Sequence, residues 1–115
     1  MRRGDVHVVD FGDPRGAEAA YRRPAVIVSN DAANTVAERL GRGTVTVVPV
    51  TSNVARVLPF HVLLDAGAAG LPRDSKAQAE QVRTVSFERI GERLGSLPPA
   101  TERDLDRALR LHLQL

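Results

Sequence analysis

The sequence predicts a small α+β domain, mainly β: a twisted barrel of short strands that carries one C-terminal helix. Three observations predict it. Short runs rich in Val, Ile, Leu and Thr recur along the 115 residues, separated by clusters of Gly, Pro and small polar residues. Aromatic content is only 3%, so the core must rest on Val, Leu, Ile and Ala, and β-branched side chains pack well on a pleated face. The chain closes with one well-punctuated helix, which such a sheet needs as a cover. With no internal repeat and no linker long enough to divide it, the chain reads as a single domain over 1–115.

The elements follow in order. Asp5 to Phe11 alternates imperfectly and reads as a first strand. A Gly- and Pro-rich loop, Gly12 to Arg23, leads to a second strand at Ala25–Ser29. The stretch NDAANTVAERLGRG reads as part turn and part weak helix, ended by Gly41 and Gly43. TVTVVPV, Thr44 to Val50, is a strongly β-branched third strand, and Thr51 to Pro59 is a second long loop. FHVLLD gives a fourth strand, and AGAAGLPRD turns the chain. SKAQAEQVRTV gives a fifth strand, bent near Glu80-Gln81. SFERI reads as one helical turn and ERLGSL as a short sixth strand. Pro98-Pro99 then opens a helix to about Gln114, because proline suits the first helical turn. Acidic Glu102, Asp104 and Asp106 near its start and Arg107 and Arg110 beyond them suit the helix dipole. Leu105, Leu109 and Leu113, four apart with Ala108 beside them, form the stripe expected to face the core.

Composition excludes several kinds of chemistry. The chain has no cysteine, which removes disulfides, thiolate nucleophiles and Cys-ligated zinc. No apolar run approaches the roughly 18 residues of a membrane span. The N-terminus enters a strand without a signal segment, so a cytoplasmic location is expected. Neither a phosphate-binding P-loop, a dinucleotide fingerprint, a nucleophile elbow nor a metal-spaced histidine pair is present, and no cofactor or metal is expected. His7, His61 and His112 stand isolated and read as surface or core-edge residues.

The net charge of +2 is modest, yet every one of the 16 basic residues except Lys76 is arginine. The guanidinium is a planar fork that matches phosphate. The polar residues that remain gather at loop–strand junctions. Glu18, Arg22 and Arg23 lie in or at the end of the first long loop, and Thr51, Ser52 and Asn53 lie where the third strand gives way to the second. If those strands are neighbours, an arginine fork, a hydroxyl and a carboxylate could meet on a phosphodiester. The alternative is structural: Arg23 pairs with Glu18 in an exposed ion pair and Thr51 caps a turn.

Six segments taken together are more specific. RRGDVHVVDF, RGAEAAYRRPAVIVSND, TVTVVPVTSN, PFHVLL, LPRDSKAQAEQVRT and LDRALRLHL occur in an order and spacing that resemble the MazF/PemK family of toxin endoribonucleases, its mycobacterial-type members in particular. The resemblance implies a small SH3-like barrel, a homodimer, a cognate antitoxin that wraps and blocks the toxin, and metal-independent cleavage of single-stranded RNA. It implies that Arg23 and Thr51 are the catalytic pair and that Glu18 assists. It also sets Gln78–Arg83, with Gln81, facing the RNA rather than the chemistry. Arg22, Ser52 and Asn53 are expected to contact RNA beside the pair. One position departs from the family: a tryptophan is frequent in its first strand, where this chain has His7. The low aromatic content leaves Tyr21, Phe60 or arginine planes to stack on bases. The rival expectation is a gyrase-binding toxin of the CcdB type, which shares the fold and cuts nothing.

Overall fold

The computed structural model describes residues 1–12 and 22–115. Its strands are β1 (Asp5–Asp10), β2 (Arg22–Ile27), β3 (Thr44–Thr51), β4 (His61–Leu64), β5 (Ser75–Gln78), β6 (Arg83–Ser86) and β7 (Ile90–Ser96). Helix α1 spans Asp31–Leu40 and α2 spans Pro99–Leu113. The strand order is β4-β5-β3-β2-β1-β7, every pairing antiparallel, with β6 also on β3. The sheet is therefore open and forked at β3 rather than closed into a ring. One edge of β3 meets β6 over Thr44–Val47 and β5 over Val50–Thr51. Between them residues 78–82 swing out past Val48 and Pro49, where proline has no N–H to offer a ladder. That is the bend expected near Glu80-Gln81, but it divides the run into two strands.

Alternation along the strands buries the sheet on both sides. Val6, Val26, Val48, Val50, Val62, Leu64 and Ala77 pack with Leu105, Ala108 and Leu109 of α2. The residues between them, Val9, Ala25, Ile27, Val45 and Val47, pack with Ala37 of α1 and Val85. A strand buried on both faces loses its polar alternation, which is why the second half of β3, Val47 to Val50, is an unbroken apolar run, while Thr44 and Thr46 keep the alternation in its first half.

Helix α1 is a full ten-residue helix and not a weak one. Its caps decide this. The Asn30 side chain accepts the Ala33 N–H at 2.8 Å, and Gly41, at φ 65°, turns its N–H back to the Ala37 carbonyl. Buried Asn34 then locks the helix to the sheet: its amide donates to the Ser29 carbonyl at 2.9 Å while Ser29 Oγ donates to its Oδ1 at 2.6 Å. In α2 the stripe holds only in part, because Leu105 and Leu109 are buried while Leu113 is 48% exposed. Strand β2 starts at Arg22 rather than Ala25, since β1 supplies partners for both arginines, Asp10↔Arg22 and Val9↔Arg23.

Asp5 ties the first strand to the last. Burial works against its charge, but the Ser96 hydroxyl at 2.6 Å, the Arg2 N–H at 2.9 Å and the Arg93 guanidinium outweigh that and hold its carboxyl below the ordinary value. The sign is that of a depressed carboxylate. Its stabilisation is complete above the unfolded value, and it is lost as pH falls through the lower folded one. Melting measured between pH 7 and pH 3 should show the native chain losing stability below about pH 4 more steeply than Asp5→Asn. Parallel curves would remove Asp5 from the acid response.

Candidate active site

The β2–β3 ladder pairs Ala25 with Pro49 and Ile27 with Val47. If carried on by two residues, the same register would set Arg23 opposite Thr51, on the face of the sheet that bears Ala25, Val47 and α1. Residues opposite one another in an antiparallel pair share a face and lie about 5 Å apart at Cβ. Two residues far apart in sequence are thus brought to one end of the sheet by backbone register alone. The ladder ends before reaching them. Pro24 stands between Arg23 and Ala25 with no N–H to continue it.

Arg23 is partly buried, and its Nη2 donates to Gln78 Oε1 at 3.3 Å. That contact spans β3 and draws the guanidinium toward β5. Thr51, the last residue of β3, is also partly buried. Its Oγ1 accepts the Asn53 N–H at 3.2 Å, and Asn53 Oδ1 accepts the Ala55 N–H at 3.2 Å. The turn-capping alternative for Thr51 is therefore met, but it uses only a lone pair. Among the described residues the hydroxyl hydrogen has no acceptor and can donate elsewhere.

The remaining expected residues divide. Ser52 and Asn53 are exposed where the loop leaves β3, and Arg22 is exposed on β2. Gln81 is exposed in the short 3-10 turn at Ala79–Gln81, and Gln78 rather than Gln81 meets Arg23. Glu18 and Tyr21 lie outside the described residues. Phe60 sits edge-on to His61, with ring centroids 4.8 Å apart.

Three contacts could not be read from the linear sequence. Arg83 lies over the Phe11 ring, 4.3 Å from its centroid, which joins an arginine plane to an aromatic one. Lys76 pairs with Thr51 across the β3–β5 ladder and is only 7% exposed. His61 accepts the Leu58 N–H on Nδ1 at 2.9 Å, so its other nitrogen carries the hydrogen and donates to Glu80 at 3.0 Å. His7 is buried and donates from Nδ1 to the Gly91 carbonyl at 2.9 Å, a core-edge role. Among these, Lys76 alone had a compositional mark, as the single lysine.

Comparisons with known proteins agree along the whole chain. A family model described as the PemK-like, MazF-like toxin of type II toxin–antitoxin systems matches residues 2–113. Endoribonuclease MazF9 of Mycobacterium tuberculosis is 56% identical over 115 residues, covering 100% of this chain and 98% of its own length. Endoribonuclease MazF6 of the same organism is 34% identical over 116 residues, covering 100% and 98%. Among solved structures, a mycobacterial endoribonuclease in complex with its cognate antitoxin aligns with a TM-score of 0.79 at 27% identity, covering 100% of this chain and 96% of that one. A MazE–MazF complex from Deinococcus radiodurans aligns with a TM-score of 0.75 at 26% identity, covering 100% and 96%.

Proposed function

Because the chain belongs to the PemK-like, MazF-like toxins of type II toxin–antitoxin systems, we propose that the sheet end carrying Arg23 and Thr51 is where it cuts RNA. The protein is an endoribonuclease of that family, and its relatives favour this over the gyrase-binding rival. What supports the site assignment is the β2–β3 register, Ala25↔Pro49 to Ile27↔Val47, which extended by two residues leads to Arg23 and Thr51 at the same end of the sheet.

The groups suit a transesterification. The RNA's own 2′-hydroxyl oxygen attacks phosphorus, the P–O5′ bond breaks, and a 2′,3′-cyclic phosphate and a 5′-hydroxyl remain. Arg23 stabilises the charge that builds on the phosphoryl oxygens, and its guanidinium gives a proton to O5′ as the P–O5′ bond breaks, balancing the proton that leaves the 2′-hydroxyl. Thr51 donates its hydroxyl hydrogen to a phosphoryl oxygen. Glu18 takes the proton from the 2′-hydroxyl. Arg22, Ser52, Asn53 and Gln81 line the approach of a single strand, and we place the reaction in the cytoplasm, where RNA is abundant. None of these steps calls on a metal.

A homodimer and an antitoxin complete the reading. Val36 and Leu40 on α1 and Leu111, Leu113 and Leu115 at the end of α2 are all about half exposed or more, surfaces that a partner would cover. The test is direct. Purified protein given a long single-stranded RNA should cut at a short recurring motif, in EDTA as in its absence, and leave the two end groups named above. Metal-dependent cutting, or 5′-phosphate ends, would overturn the mechanism. Gyrase binding without any cutting would restore the rival.

A further inference from the structure

Lys76 is the one lysine among the basic residues, and it is buried beside the proposed site. Its ladder partner is Thr51, so the two share a face. Its ammonium donates to the backbone carbonyl of Arg56, in the middle of the loop that runs from Ser52 to Phe60. No carboxylate pairs with it among the described residues. A buried ammonium is costly to keep, and replacing it with an apolar side chain would ordinarily be neutral or favourable for folding.

The loop it holds is fastened at three places. Near the start, the Asn53 N–H rests on Thr51 Oγ1; in the middle, Arg56 is tied to Lys76; at the end, the Leu58 N–H rests on His61 Nδ1. The first contact bears on chemistry. By occupying a lone pair of Oγ1 it limits where the Thr51 hydrogen can point. The position of the loop therefore sets the direction of that donor, and Lys76 is the only one of the three fasteners that reaches the loop from β5.

We propose that Lys76 is a positioning residue for RNA cleavage: by tying the 52–60 loop to the face that carries Thr51, it aims the Thr51 hydroxyl. This rests on the reading that RNA is cut at this end of the sheet. Lys76 touches no reacting atom; it acts through the loop and through Thr51.

Single-turnover cleavage of an RNA oligonucleotide that contains the mapped motif tests this, with binding of its 2′-deoxy analogue measured alongside. Misplacing a reacting group by about 1 Å costs on the order of 10²-fold in rate. Lys76→Met should fold and lower the cleavage rate by about 10- to 100-fold, with binding changed less than about 3-fold. Its effect should largely vanish in a Thr51→Val background, because both act through one hydroxyl. Lys76→Arg, which keeps a cationic donor, should recover most of the rate. If Lys76→Met fails to fold, the same cycle is run with Lys76→Gln. Full cleavage by a folded variant, a loss that lies in binding, or additive effects with Thr51→Val would each overturn the proposal. Failure of both variants to fold would make Lys76 a stability residue and overturn it too. The underlying reading fails separately, and only if the native protein cuts no RNA or Thr51→Val cuts as well as the parent.

Discussion

Arg23→Ala should cut RNA roughly 10²–10³-fold more slowly than the native protein while melting at nearly the same temperature, the usual loss when one preorganised charge donor is removed. The side chain is only partly buried, and among the described residues its contact is a single 3.3 Å hydrogen bond to Gln78, so little of the described fold depends on it. Its backbone position is another matter. Val9 pairs with Arg23 in the β1–β2 ladder, and that pairing survives the substitution. Arg23→Lys should be nearly as poor, because a compact ammonium cannot offer two parallel donors to a phosphate. Single-turnover kinetics beside thermal melting check both. Near-native cleavage by a folded Arg23→Ala protein would remove the residue from the mechanism.

A single 2′-deoxy substitution at the cut nucleotide should abolish cleavage at that bond and leave binding almost unchanged. The expected effect exceeds that of any side-chain change, because the substitution deletes the nucleophile itself. The 2′-hydroxyl is also the group that distinguishes RNA from DNA at a given position. Affinity should persist because single strands are held largely through their phosphates. If about three are neutralised, binding should fall with salt at a log–log slope of roughly −2. Cleavage at the same bond without the hydroxyl would mean that water, or another group of the protein, attacks.

Much of this was legible before folding. The β-branched run at Thr44–Val50, the bend at Glu80-Gln81, the helical turn at Phe87–Arg89 and the Pro-led terminal helix all appear within a few residues of expectation. Local chemistry specifies those elements, and local chemistry can be read along a chain. What escaped was set by partners distant in sequence. Arg22 and Arg23 have no strand signal of their own and become strand because β1 pairs with them. Helix α1 looked weak because Asn34, Thr35 and Val36 interrupt its centre, while its strength lies in the flanking Ala, Glu, Arg and Leu, the Asn30 and Gly41 caps and the Asn34–Ser29 lock. At the candidate site, Arg23 and Thr51 stood out by residue type and motif. Lys76 did not, since nothing near it in sequence reveals that β5 will lie against the end of β3. Gln78 was singled out only as the edge of a motif, and its contact with Arg23 spans three strands.

The alternation that buries β3 on two faces also makes enzymatic activity a gauge of folding. Val48 and Val50 point to the α2 side and Val47 and Thr51 to the other. A one-residue slip of β3 would exchange them, turning the Thr51 hydroxyl into the α2-side core and bringing valine to the site. No misregistered chain can keep a good core and a working centre together, so a partly misfolded population should be silent rather than weakly toxic. Insertions should divide sharply along the same line. One extra residue within Thr44–Thr51 should extinguish both stability and cleavage, whereas one placed between Ala55 and Leu58 should spare the core and disturb only the aim of the hydroxyl.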